Sequence, residues 1–459
     1  MTRARSHLSG RQVRRRQGRR RGGIRGWRGL VACSLLSMQL PALGWSDHAT
    51  LLWPLLRGMP ELLQPRLNAQ PLEHFIAADP EALQRLLAEH ESYARRALPH
   101  YAPRPDALAF DPGATDLRLS FLRAIRVNPL LEYGLYRQQM PGEPELAAGT
   151  ALVFARLSFL SSDEAHEAVR YSALRPGESV SPAQVIATAS DEPDFGMDVG
   201  LFEDNGTAFG RDYGFGAQPF GNANLEYSSQ APFHMGFYHL DWLLRIAQPS
   251  VQLTYPDWRV SLFQRLAEYA FENGQDYWGW RFMGWALHYI GDLTQPYHAD
   301  PLPGISSLDV MWTLARGTTA EAVQLLSNRH GVLESYQYQR LRTALREESQ
   351  HPALLQALAA PRTIGSFDSG TLKGELTARS VAAADALDAA LAEHVPARYV
   401  SDPEFEWTGS GEEAAIVASI RATGGEEALA ALDAVLVIQL RRFSRYAAAW
   451  IAQAQAQAR

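Results

Sequence analysis

Apolar residues recur along this chain at three- and four-residue intervals, and runs that alternate apolar with polar are few. In residues 80–97, Leu83, Leu86, Leu87 and Tyr93 fall on one stripe with charged residues opposite, which predicts an amphipathic helix. The same period predicts helices over 258–275, 281–294, 319–328, 351–359, 375–393 and 425–456. Residues 200–230 depart from it. They are rich in Gly, Asn and aromatics and read as a long loop, either beside a site or as a surface excursion. Residues 361–372 and 401–412 read as turn-rich connections, and there is no internal repeat. Helix after helix without strands predicts an all-α, bundle-like fold.

The first 44 residues follow a different rule. Residues 1–28 are Arg- and Gly-rich without apolar periodicity, and 29–43 form an apolar run ending in small residues at Ala42 and Gly44. That order predicts a secretory signal peptide over 1–44, with Trp45 as the first residue of the mature chain. The run is too short to span a bilayer comfortably, and no later stretch reaches about 18 uninterrupted apolar residues. The mature protein, 45–459, is therefore expected to be soluble and secreted or periplasmic. Arg19-Arg20-Arg21 could alternatively serve a twin-arginine exporter, and Leu30-Val31-Ala32-Cys33 has the form of a lipoprotein box. Cys33 is the only cysteine. Its loss with the leader removes any disulfide, so an exported fold of this kind must rely on its core and on metal.

Composition sharpens the picture through charge. With 459 residues, 46% of them hydrophobic, the chain is long enough for one large domain or two ordinary ones, and the disordered and collagenous classes are excluded. The formal net charge of −7 conceals eleven Arg and no acid before Trp45, which leaves 32 basic against 50 acidic residues beyond it, a balance of −18. Such a body repels duplex nucleic acid. Lys373 is the only lysine. Phosphate, if the protein handles it, must meet positive charge from another source.

The densest chemistry lies between Trp285 and His298. His288 and Asp292 stand at i and i+4, so on a helix they share one face. Pro296 ends that helix and turns His298 back toward the same place. Imidazole and carboxylate are the ligands that borderline cations such as zinc take. A lone histidine on an aromatic-rich helix is commonly a core residue, but the trio argues for a metal site. His330 and Glu334 repeat the i, i+4 spacing, a pair that by itself is common on solvated faces. Neither a Gly-x-Ser-x-Gly nucleophile turn nor a phosphate-cradling Gly-rich loop is present, since the glycines at 206–221 lack a strand-to-helix context.

These residues resemble the zinc-dependent phospholipases C and their relatives, the single-strand-specific zinc nucleases of fungi and plants. The family motif His-x3-Asp-x5-His is met by His288, Asp292 and His298. His-x3-Glu, the phospholipase form of a second motif, is met by His330 and Glu334. The third mark is a mature chain that begins with Trp and soon presents a ligating His, here Trp45 and His48, at a shorter spacing than in either branch. The resemblance implies a helical bundle of the zinc-dependent phospholipase C type holding three zinc ions. It also implies an upstream Asp, placed at Asp191 with Asp194 and Asp198 as alternatives, and an upstream His, placed at His234 in preference to His239. Asp191, His234, His288 and Asp292 would then hold the first zinc, and His298, His330 and Glu334 the second. Trp45 and His48 would hold the third, with Asp292 bridging to the first. Residues 49–190 form an inserted helical region outside the resemblance, and 345–420 match only loosely.

The activity so implied is hydrolysis of a phosphodiester by zinc-activated water, with Asp191 orienting the water and Asp292 joining two ions. A phospholipase C would release diacylglycerol and a phosphorylated head group, and would touch a membrane surface transiently. A single-strand-specific nuclease releasing 5′-mononucleotides is the alternative. A non-enzymatic exported zinc-binding protein is a third reading. Phe202, Phe209, Tyr213, Phe215 and Phe220 would contact acyl chains in the first case, stack bases in the second, or simply anchor their loop. Glu334 and the −18 balance favour the phospholipid.

Overall fold

Asp79 begins the helix expected over 80–97. Its carboxylate accepts the Ala82 N–H at 2.9 Å, Pro80 fills the first turn where no N–H is needed, and Arg95 and Arg96 face the C-terminal end of the dipole. The computed structural model describes residues 47–144, 149–160, 169–221, 227–305, 316, 319–347, 352–359, 367–368 and 370–457. The leader, Cys33 and Trp45 lie outside the described residues, as do 361–366 of one expected connection. Among the described residues no helix is long and apolar enough to cross a membrane.

The fold is mostly helical, as the period implies. Five helices come first: α1 (His48–Arg57), α2 (Pro60–Leu63), α3 (Leu72–Ala78), α4 (Pro80–Ala97) and α5 (Leu117–Ala124). Next come α6 (Pro182–Asp191), α7 (Ala208–Asp212), α8 (Ala231–His234), α9 (Trp242–Ala247), α10 (Pro256–Glu272), α11 (Asp276–Asp292) and α12 (Pro296–Ala299). The last are α13 (Thr319–Arg346), α14 (Pro352–Ala359), α15 (Thr377–His394), α16 (Ala397–Val400) and α17 (Ile416–Gln457). α17 bends at Gly425, whose φ of 66° is open to glycine and costly for other residues.

Three expectations need correction. Residues 49–190 are not helical throughout. Strands β1 (Leu67–Asn68) and β5 (Ser179–Val180) pair antiparallel, and β2 (Tyr136–Gln139), β3 (Ala151–Leu152) and β4 (Arg170–Ala173) form an antiparallel sheet in the order β2-β4-β3, with Tyr136 opposite Ala173. Strands of two to four residues are too short to register as an alternating period. Tyr93 stands 37% exposed, and His90 and Ala94 complete the buried stripe of α4 in its place. The helix expected to stop at 328 continues to Arg346, which carries His330 and Glu334 into a helix interior.

The largest hydrophobic core among the described residues runs from Ala49 to Ala454 and takes in much of 49–190, while Tyr136, Phe154, Val169 and Tyr171 pack with Phe195 in a smaller cluster. At the centre of the larger core lies α11, buried from Tyr277 to Asp292, as a helix apolar on all sides must be. Trp278, Phe282 and Trp285 pack edge-on or tilted against Phe75 and Phe263, with ring centroids 5.1–6.1 Å apart. On the side facing α6 the approach is closer. A Cβ at Gly284 would stand 2.6 Å from the Ala189 Cβ and 2.8 Å from the Ile186 carbonyl oxygen, so only glycine lets the two helices meet there. Phe202, Tyr213, Phe215 and Phe220 are buried under the 200–230 loop. Phe209 is partly buried against the core. These rings anchor the loop.

Candidate metal centre

Helix α11 delivers His288 and Asp292 side by side, with His288 Nε2 3.2 Å from Asp292 Oδ2. Asp292 is its last residue. Gln295 then caps α12 by accepting the Tyr297 N–H at 2.6 Å, and this short helix swings His298 back, 3.8 Å from the same carboxylate. α8 brings His234 to the opposite side, its Nδ1 2.9 Å from Asp292 Oδ2 and 3.0 Å from His288 Nε2. α13 contributes His330 and Glu334, 2.6 Å apart.

His48 enters from the first residue of α1. Asp47 caps that helix through the Thr50 N–H, and the Ala49 N–H is accepted by Asp191 at 3.0 Å. His48 Nε2 thereby comes within 3.2 Å of Asp292 Oδ1. The ring fits because residue 291 has no side chain. A Cβ on Gly291 would lie 2.9 Å from His48 Nδ1 and 3.0 Å from its Cε1. Gly291→Ala should gain about 1 kcal/mol in helix propensity and still lose one bound metal ion per chain, because the methyl displaces His48. Elemental analysis of the purified protein checks this, and an undiminished metal content would remove His48 from the ligand set.

Among the described residues, three groups of donors that could hold metal ions result: His48, His288 and Asp292; Asp194, His234 and His288; and His298, His330 and Glu334. Within each group one atom per residue lies within 4.8 Å of the others. The eight residues are buried, Asp194 being the most exposed at 9%. Asp194 therefore joins the cluster in the position assigned to Asp191. Its Oδ1 stands 3.7 Å from His234 Nδ1 and 3.6 Å from His288 Nε2. Asp191 instead closes α6 and holds the start of α1. Pro193 explains the divergence, because it opens a 3-10 turn over Glu192–Phe195 that carries Asp194 round to the histidines. Glu192 in the same turn is pinned by Arg281 in a two-pronged pair of 3.0 and 2.7 Å, and by the Trp285 indole at 2.5 Å.

The surroundings fix which nitrogen each ring offers. His288 Nδ1 lies 2.7 Å from the Ser190 carbonyl and His298 Nδ1 3.0 Å from the His234 carbonyl. A carbonyl only accepts, so each Nδ1 carries its proton and each Nε2 turns a lone pair inward. Asp198 stands behind His234, 3.5 Å from Nε2, and is itself held by Tyr289 O–H at 2.5 Å and by Arg259. It supports the ring from outside the cluster. His239, the alternative to His234, stays outside the cluster. It is exposed, 2.7 Å from the Lys373 carbonyl.

The electrostatics ask for a cation. Burial, and then the carboxylates of Asp194 and Asp292, push the Glu334 carboxyl well above its ordinary range. Burial also acts against the Asp292 carboxylate, yet His288, His298 and His234 hold it well below that range. Burial, reinforced by His288, lowers His48. Burial opposes charge on His234 too, but Asp198, Asp292 and Asp194 raise it to about 10. Among the described residues, His48 Nε2 and Asp292 Oδ1, which face each other across the cluster, are buried without a hydrogen-bond partner. Orphaned lone pairs at that depth are costly unless a metal satisfies them. Compared with family models, with curated proteins and with solved structures, the chain matches none of them.

Proposed function

We propose that this protein is a zinc-dependent phosphodiesterase of the phospholipase C type, exported after loss of residues 1–44, with a helical bundle as its scaffold and phospholipid as its substrate. The observation that carries the reading is the convergence, in one buried cluster, of seven residues that the motif resemblance names: His48, His234, His288, Asp292, His298, His330 and Glu334. Asp194 completes the set. Its group and Asp292 Oδ2 make four donor atoms whose known separations run from 2.9 to 3.7 Å. Two ligand atoms about 2.0 Å from a tetrahedral zinc lie about 3.3 Å apart. The His298, His330 and Glu334 group offers three donors, the number that catalytic zinc sites keep while leaving a position for substrate.

When bound, zinc supplies the positive charge that phosphate oxygens require and lowers the pKa of water from about 16 toward about 7. The chain's own residues do the rest. Asp292 offers one oxygen to His48's group and the other to His234's, so it holds two groups in fixed relation. Ser190 and His234 carbonyls keep protons on the outer ring nitrogens. The single lysine, paired with Asp257 at 2.5 Å, is not part of the cluster.

Phospholipid is preferred over nucleic acid on two grounds, the phospholipase-type Glu334 and the −18 balance of the mature chain. The loop aromatics add nothing to either reading, since they face the core. Zinc-loaded protein should be given phosphatidylcholine, single-stranded DNA and RNA separately. Diacylglycerol is expected at the highest kcat/KM. Mononucleotides released faster would overturn the phospholipase reading, and the absence of both products would overturn phosphodiester hydrolysis.

A further inference from the structure

Arginines gather along α15 and α17. Arg379 from α15 and Arg441, Arg442 and Arg445 from α17 line a groove of about 940 Å³, with Tyr446 and Ile438 beside them. The volume falls within the roughly 300–1,000 Å³ typical of small-molecule sites.

The charges there are poorly compensated. Glu375 is the only carboxylate within 4.0 Å of them among the described residues, 3.1 Å from Arg379 and 3.9 Å from Arg445. It also accepts the Tyr446 hydroxyl at 3.0 Å. Arg441 and Arg442 have no carboxylate partner among the described residues. Arg442 reaches only Gln439 at 2.8 Å and Ser380 at 3.3 Å. Arg445 Nε is buried without a hydrogen-bond partner among the described residues. Burial lowers the Arg442 guanidinium to about 10, and Arg379 adds to the effect against the opposing pull of Tyr446. Four converging cations on a body of net −18 are a local reversal of sign that costs stability until an anion sits among them.

We propose that this groove is a binding site for a phosphate-bearing small molecule, separate from the metal centre. Guanidinium forks match phosphate oxygens in pairs, with planar geometry that lysine lacks. The groove is larger than inorganic phosphate requires, so the ligand carries an organic part, which Ile438, 53% exposed, flanks. The phosphate could belong to a soluble ester or to the head group of an anionic lipid.

Calorimetric titration of the metal-loaded protein with glycerol 3-phosphate, and vesicle flotation with phosphatidylglycerol, distinguish the two sources. Arg441→Gln/Arg445→Gln is the variant to compare, since both residues are solvent-accessible and neither belongs to the cluster. Each charged hydrogen bond lost is worth about 1.5–3 kcal/mol, so binding should weaken at least about tenfold. Turnover of the phosphodiester substrate should not change. Binding of the ester assigns a soluble ligand, and binding of vesicles alone assigns a lipid head group, provided that the variant loses it. Equal binding by both proteins, or no binding of either probe by the wild type, overturns the proposal.

Discussion

Asp292→Asn is expected to remove two metal ions at once. The substitution keeps the size of the side chain but replaces an oxygen with an amide nitrogen that cannot ligate. Asp292 Oδ2 faces His234 and His288 at 2.9 and 3.2 Å while Oδ1 faces His48 at 3.2 Å, so no other residue in the cluster serves two groups through two atoms. Loss of an outer hydrogen-bond partner at a metal site costs about 10–100-fold, and loss of a shared ligand should exceed the upper end. Asp191→Asn is the matched control. It weakens the hold on the Ala49 N–H and should lower stability while leaving the metal at His234 and His288 in place. Metal analysis and turnover of the two variants decide the matter. Full metal content in Asp292→Asn would dismiss Asp292 as a ligand, and the same metal loss in Asp191→Asn would restore Asp191 to the first group.

Stripping the metal should abolish turnover and lower Tm in the same step. An ion held at about 10³ times its Kd contributes about 4 kcal/mol to stability. For a chain of this length the entropy of unfolding is of order 0.9 kcal/mol per degree, so each ion lost should lower Tm by about 5 °C. The cluster makes the effect larger than the ion count alone suggests, because the donor atoms of Asp194, Asp292 and Glu334 are then left buried without the cation that satisfies them. Scanning calorimetry before and after chelation, followed by readdition of zinc, tests both halves. A protein shown to be metal-free that keeps its activity would refute the metal centre, and one that loses activity at unchanged Tm would confine the metal to chemistry.

Much of this was legible in the sequence where a period or a spacing speaks for itself. Helix α4 runs from Pro80 to Ala97 as its stripe and its capping aspartate require. The i, i+4 pairs of His288 with Asp292 and His330 with Glu334 lie where helix geometry puts them. The choice between Asp191 and Asp194 was not readable, because three residues apart on a continued helix they would share a face, and only the turn made by Pro193 separates their directions. The strands were invisible for their brevity. The approach of His48 depends on Gly291, more than two hundred positions away, and local pattern carries no such contact. Trp45 lies outside the described residues.

The way Asp47 and Asp191 fasten α1 has a bearing on the order of assembly. The His288–Asp292 and His330–Glu334 pairs come into being with their own helices, on the microsecond scale of helix formation. His48 arrives only when the start of the chain has closed onto distant segments, with Ala49 meeting Asp191 across 142 positions and Asp47 meeting Arg342 across 295. Closure over such lengths is slow because the entropy is lost before the contacts form. On refolding, the helical signal should therefore return well before the full complement of metal, and in a newly made chain the half-built cluster is the form that first meets the ion.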